Sequence, residues 1–146
     1  MTASLVYVLN GPNLDRLGSR EPEIYGSETL KDVADLVSKE ADALGLTVDF
    51  RQTNNEAELI GWIHEAVDAG ADVGLNPAAF THYSYAVRDA CALVTTSGGR
   101  LIEIHLSNPA TREEFRHTSV VAGVATGTIA GFGSRSYLLA LRALTV

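Results

Sequence analysis

The sequence predicts an open α/β sandwich: a doubly wound, five-stranded parallel sheet with helices on both faces. Three observations carry that expectation. Short apolar or alternating runs and amphipathic helical runs follow one another five times along the 146 residues. The connections between successive strand-like runs are too long for hairpins, which leaves parallel pairing as the natural solution. Polar residues gather just beyond those runs, where sheets of this kind bind ligands.

The elements follow in order. Residues 5–9 read as a buried strand, and a long polar loop runs from there to Gly26. Between 28 and 44, Leu30, Val33, Leu36, Val37, Ala41 and Leu44 fall at helical spacing, and Gly45 stops the helix. Leu46 to Arg51 alternates as a strand does. Asn55, with Glu58 three residues on, caps a second helix whose face is Leu59, Trp62, Ile63, Ala66 and Val67, and Gly70 ends it. Asp72 to Leu75 is a short strand broken by Asn76-Pro77. The third helix runs through Ala86, Val87, Ala90 and Leu93-Val94, and Thr95 to Gly99 is a loop. Arg100 to Leu106 is the fourth strand, Pro109 to Arg116 a short helical turn, Val120 to Gly131 holds the fifth strand, and Tyr137 to Leu144 is the closing helix. No linker, repeat or low-complexity tract interrupts the chain, so residues 1–146 read as one domain.

Composition narrows the function. Hydrophobic residues make up 46% and charged residues 20%, which suits a globular core. No apolar run approaches the roughly 18 residues of a membrane span, and no signal segment opens the chain, so a cytoplasmic protein is expected. The net charge of −7 and the lack of a basic cluster argue against a duplex nucleic acid as partner. Cys91, the single cysteine, lies among Ala90, Ala92 and Leu93 and reads as a buried structural thiol. Nine of the eleven basic residues are arginines, the side chain suited to fixed, bidentate recognition of anions.

The chemistry is expected beyond the carboxyl ends of the strands. After the first strand come Asn10, Asn13, Arg16, Arg20 and Tyr25; after the third come Asn76, Thr81 and His82; after the fourth come His105, Ser107 and Asn108, then Arg112 and Arg116. In Arg100-Leu-Ile-Glu-Ile-His-Leu106, alternation puts Glu103 and His105 on one face and Ile102, Ile104 and Leu106 on the other. Such a pair fits either an edge strand with a wet face or a carboxylate that orients and charges a catalytic histidine. Tyr25 is either a loop tyrosine packed under the Pro22 turn or a base. As a base near neutral pH its phenolate needs about three pK units of help, roughly 4 kcal/mol, and a cation such as Arg20 or Arg16 to supply it. His82 either caps the third helix or faces the site. His64 reads as solvated. No tight ligand spacing points to a metal. Gly131-Phe-Gly133-Ser-Arg-Ser136 imitates a dinucleotide loop without the acidic residue that should follow, and reads as close packing of the last helix.

Five ordered blocks carry a resemblance: LNGPNLDRLGSREPEIYG (9–26), RQTNNEAELIGWIHEA (51–66), NPAAFTHYSYAVRDA (76–90), EIHLSNPATREEFRH (103–117) and ATGTIAGFG (125–133). Together they resemble type II 3-dehydroquinate dehydratase over essentially the whole chain. The resemblance implies a flavodoxin-like α/β/α sandwich that works without metal, cofactor or Schiff base. It implies anti dehydration of 3-dehydroquinate to 3-dehydroshikimate through an enolate, a shikimate-pathway step that quinate breakdown shares. It further implies Tyr25 as base, Arg20 holding its phenolate, Asn13 stabilising the enolate, and His105 protonating the leaving hydroxyl with Glu103 behind it. Asn76, His82, Arg116 and the backbone at Leu106–Ser107 are implied to hold the substrate, with Arg112 on a mobile rim. Asp89 is implied to reach a neighbouring subunit's site in a dodecamer built of trimers. The long loop after the first strand is then a lid that carries the base and its cation.

Lys31 and Lys39, the two lysines, fall on the polar side of the first helix, away from any strand's carboxyl end, which argues independently against an imine. Asn76-Pro77-Ala78-Ala79 stands where the resembled family usually has Asn-Pro-Gly or Asn-Ala-Gly; a positive φ there would strain alanine. The rival readings are a non-catalytic mononucleotide or anion-binding module of the same architecture, and an interaction protein whose arginine rim docks an acidic partner.

Overall fold

The computed structural model describes residues 4–19 and 21–146, with Tyr25 described by its backbone. Arg20 lies outside the described residues. Five strands, β1 (Ser4–Asn10), β2 (Leu46–Gln52), β3 (Asp72–Asn76), β4 (Leu101–His105) and β5 (Gly127–Ala130), form one sheet in the order β2-β1-β3-β4-β5. Every pairing is parallel. The doubly wound five-stranded sheet expected from the sequence is therefore present.

The helices are α1 (Pro22–Tyr25, a single turn), α2 (Leu30–Leu44), α3 (Glu56–Asp68), α4 (Tyr85–Thr96) and α5 (Arg135–Ala143). Alternation along the strands divides the core in two. Val6, Val8, Ile102 and Ile104 pack with Val33 and Val37 of α2 and Ala140 and Leu141 of α5. Tyr7, Leu9, Val73 and Leu75 pack on the other face with Leu59 and Ile63 of α3 and Val87 and Cys91 of α4. Three layers result because period-two strands bury both faces and each helix covers only one.

Several boundaries differ from expectation for physical reasons. The helix α4 runs on through Thr95 and Thr96, whose hydroxyls donate to the carbonyls of Val124 at 2.9 Å and Ala92 at 2.8 Å. The fifth strand is only four residues, preceded by a single turn at Ala122–Val124. Leu36 and Leu93, counted on core faces by their spacing, are exposed. Ser84, not His82, caps α4, accepting from the Val87 N–H at 3.0 Å. Asn55 caps α3 as expected, with the Glu58 N–H at 3.0 Å. Among the described residues no helix is long and apolar enough to cross a membrane.

Two backbone positions shape the edge of the sheet that matters. The connection from β1 goes to one side and that into β3 returns on the other, so the winding reverses between β1 and β3, where such folds open a crevice. There the Gly11 N–H donates to the Asn76 carbonyl at 2.8 Å, and a Cβ on Gly11 would meet the Pro77 oxygen at 2.6 Å. Only glycine lets the two chains approach so closely. Beside it Ala78 has φ 51°, the strained case anticipated from Asn76-Pro77-Ala78. Left-handed backbone costs an L-residue roughly 1–2 kcal/mol, more than one partly buried methyl returns. Ala78→Gly is expected to stabilise the fold by about 0.5 kcal/mol, read as a higher urea midpoint at unchanged slope.

Candidate active site

A cleft opens over the carboxyl ends of β1, β3 and β4. Its empty space is about 550 Å³, counted out to the solvent at its mouth, and its lining includes Asn13, Asn76, His82, His105, Leu106, Ser107, Arg112 and Arg116. Eight of the residues predicted from the sequence thus meet in one place. Asp89 does not line this cleft; it sits exposed on α4, paired with Arg88 at 3.1 Å.

The centre is Glu103 and His105. β4 is flanked by β3 and β5, so the edge-strand reading of the pair is excluded. Glu103 is fully buried and its Oε2 lies 2.6 Å from His105 Nε2. Thr81 donates to the same oxygen at 2.5 Å, and Ser119 lies 2.9 Å from Oε1 and 3.0 Å from Oε2. Burial pushes the Glu103 carboxyl up, but the bonds from His105, Thr81 and Ser119 outweigh it and hold the group below its ordinary value. Ionised, the carboxylate only accepts, so Nε2 carries the proton and Nδ1 is the ring nitrogen left for the cleft.

His82 is held by the Thr118 carbonyl, 2.8 Å from its Nδ1, and by Phe115 packed edge-on at 5.7 Å. Burial lowers its pKa, and the charges of His105 and Arg116 add to that against the Thr118 bond and Glu103. A neutral ring donating from Nδ1 presents Nε2 as an acceptor, suited to a hydroxyl. Arg112 donates to the Ser107 hydroxyl at 3.2 Å and lies 3.8 Å from Glu21. Arg116 is fixed by Glu113 at 3.1 Å and stacks on Phe115 at 4.6 Å. Two largely buried guanidinium groups thus stand at the mouth, a side-chain type suited to bidentate pairing with a carboxylate.

Asn13 sits at the lip with φ 69°, its N–H bonded to Asn54 at 2.9 Å. The α1 turn docks beside it: Ile24 shares with Arg112 a second groove that continues the cleft. The roles expected of Arg20 and of the Tyr25 side chain lie outside the described residues; the Tyr25 backbone belongs to that turn.

Two sets of supporting groups were not foreseen. Thr81 was noted only as a polar residue beyond the third strand, and Ser119 was not noted at all. The other set is a buried chain in which the Tyr137 hydroxyl donates to Asn10 Oδ1 at 2.6 Å and accepts from Asn76 Nδ2 at 2.9 Å. Asn76 Oδ1 in turn accepts from the Ala78 N–H at 3.1 Å, which leaves its second amide hydrogen for the cleft. Burial raises the Tyr137 phenol, so it stays neutral. Tyr137→Phe is expected to cost about 1–3 kcal/mol in urea unfolding, because both asparagines lose a buried partner.

Neither Cys91 nor His64 lines the cleft. Cys91 is buried, with its thiol pushed up to about 12 by that burial and by the Glu103 charge. His64 is exposed on α3. Among the described residues no three His, Cys, Asp or Glu side chains converge as a metal site.

The chain is similar to known proteins along nearly its whole length. The family model described as Dehydroquinase class II matches residues 4–145. A 3-dehydroquinate dehydratase of Salinispora tropica is 59% identical, with 95% of each chain covered. One from Kineococcus radiotolerans is 55% identical, covering 95% of this chain and 93% of its own. The crystal structure of the type II dehydroquinase from Propionibacterium acnes superposes with a TM-score of 0.94 at 49% identity, over 99% of this chain and 97% of that one. Identity this high over nearly the full length of both chains leaves no other assignment: the chain belongs to the class II dehydroquinase family.

Proposed function

We propose that this cleft converts 3-dehydroquinate to 3-dehydroshikimate by anti elimination through an enolate, with neither a Schiff base nor a metal. The observation that carries the reading is the Glu103–His105 pair at the end of a central strand, with a ring nitrogen turned to a cleft rimmed by two arginines. Tyr25, as phenolate held by Arg20, removes the proton on the carbon beside the ketone. Asn13 stabilises the enolate oxygen through a water. As the enolate collapses, the carbon–oxygen bond breaks and His105, an imidazolium whose Nε2–H stays on Glu103, gives its Nδ1 proton to the departing hydroxyl, which leaves as water. Asn76, His82 and the Leu106–Ser107 backbone hold the hydroxyls, and Arg116 and Arg112 hold the carboxylate. The loop bearing α1 closes over the site and excludes water.

Supporting the imine-free route, Lys31 and Lys39 are exposed on α2, with Lys31 paired to Asp35 at 3.2 Å. Asp89, exposed and outside its own cleft, is free in placement to serve a neighbour's site, in a dodecamer of trimers. Residues 1–146 act as one catalytic domain in the cytoplasm, on a step that aromatic amino acid biosynthesis and quinate breakdown share.

The purified protein mixed with 3-dehydroquinate should produce the ultraviolet absorbance of a conjugated enone. Turnover that survives borohydride and is lost in Tyr25→Phe supports the reading. Absence of turnover in the wild type, or turnover abolished by borohydride, overturns it.

A further inference from the structure

Glu103 receives more hydrogen-bond donors than an orienting carboxylate needs. Besides His105, two hydroxyls from separate segments converge on it, Thr81 from the turn after β3 and Ser119 from the segment before β5. Their protons have few other destinations. Ser119 Oγ already accepts the N–H groups of Val121 at 3.2 Å and Ala122 at 3.0 Å. Its acceptor capacity is filled, so it acts toward its remaining neighbours as a donor. Those neighbours are Glu103 and, at 2.7 Å, the Thr81 oxygen. The Thr81 hydroxyl donates to Glu103 in turn. The two segments are also stapled through their backbones, Val120 N–H to Thr81 carbonyl at 2.7 Å.

We infer that Thr81 and Ser119 are positioning residues that clamp Glu103 as an acceptor-only carboxylate, and through it hold the Nε2–H of His105 on the carboxylate with Nδ1 toward the cleft. The inference rests on the dehydratase reading for its catalytic meaning, though not for its geometry. Were Glu103 to take up a proton, it would become a donor toward Nε2, and the neutral ring would carry its own proton on Nδ1 instead. With two backbone N–H groups on Ser119 Oγ, its hydroxyl can only donate, so a protonated Glu103 would offer one acceptor site fewer to the donors aimed at it. The charged and titratable groups around the carboxylate are His105 on β4, His82 on the turn after β3 with Arg116 beyond it, and Cys91 on α4. None of them replaces a lost hydroxyl proton: His105 is already engaged, His82 donates to Thr118, and Cys91 remains a thiol.

The test reads Glu103 directly. Carboxyl-carbon resonances of the full-length protein, followed against pH, give the Glu103 midpoint without substrate. Ser119→Ala and Thr81→Val should each move that midpoint upward by about one pH unit, as loss of a hydrogen bond to a charged acceptor requires. Thr81→Ser, which keeps the hydroxyl, should restore it. In turnover, the first two variants should lose about tenfold in kcat with KM within twofold, since neither hydroxyl lines the cleft. If Thr81→Val does not fold, Ser119→Ala decides alone. A Glu103 midpoint that stays within about 0.3 unit of wild type in a folded variant overturns the clamp. Because that titration needs no substrate, its failure is separate from failure of the dehydratase reading.

Discussion

His105→Gln is expected to lower kcat by about 10²–10⁴-fold while KM moves by less than about threefold. Glutamine can still donate an N–H to Glu103, so the buried carboxylate keeps a partner and the fold keeps its charge balance. What it cannot do is carry a proton to a leaving oxygen. In the proposed elimination the proton moves as the carbon–oxygen bond breaks, so its loss falls on the transition state and spares ground-state binding. The binding groups named above, Asn76, His82 and the two arginines, are untouched by the change. His105→Ala supplies the complementary reading: added imidazole should return part of the lost activity if proton donation is the missing step. A kcat within about tenfold of wild type for His105→Gln would remove the histidine from the role of acid.

Much of this site could be read from residue order because strand alternation is a strong local rule. Two residues apart on one strand, Glu103 and His105 had to share a face, and they do, at 2.6 Å. The same rule sorted Ile102 and Ile104 into the opposite core. The expected edge of the sheet followed from topology, and the cleft lies on it. The second tier of groups obeys no local period. Tyr137 meets Asn10 across 127 positions, and Thr81 meets Glu103 across 22. Ser119 sits in a segment without helical or strand pattern, and only the folded chain turns its hydroxyl inward. A fully buried tyrosine at the start of an amphipathic helix looks like any core residue until its partners are in place. Ala78 is the intermediate case: the sequence raised the question of a positive φ, and the answer, 51°, needed the backbone.

Glu103→Gln is expected to destabilise the protein by about 1–3 kcal/mol at pH 7, and the deficit should shrink as the pH is lowered. At neutral pH the side chain is an ionised acceptor facing His105 Nε2 and the hydroxyls of Thr81 and Ser119. An amide of the same shape turns one N–H₂ group toward donors and leaves at least one of them without an acceptor. The pH dependence follows from the direction of the Glu103 shift. Its folded pKa lies below its ordinary value, with burial opposing and the three hydrogen bonds prevailing. The folded state therefore binds fewer protons than the unfolded chain, and stability from this group is fully present above the unfolded carboxyl value of about 4.3. It is lost as the pH falls through the folded value, where the wild type begins to lose its acceptor too. Glutamine does not titrate, so the wild type should descend toward the variant in acid. Urea unfolding of both proteins across the acid range checks this, and a gap that stays constant with pH would mean the charge on Glu103 does not stabilise the fold. Glu103→Ala leaves all three donors over a cavity and should cost more, about 3–5 kcal/mol at pH 7. The contrast between the two variants separates the charge from the space it fills. It also bears on the site: a carboxylate held below its ordinary value stays ionised at neutral pH and remains an acceptor for His105 Nε2.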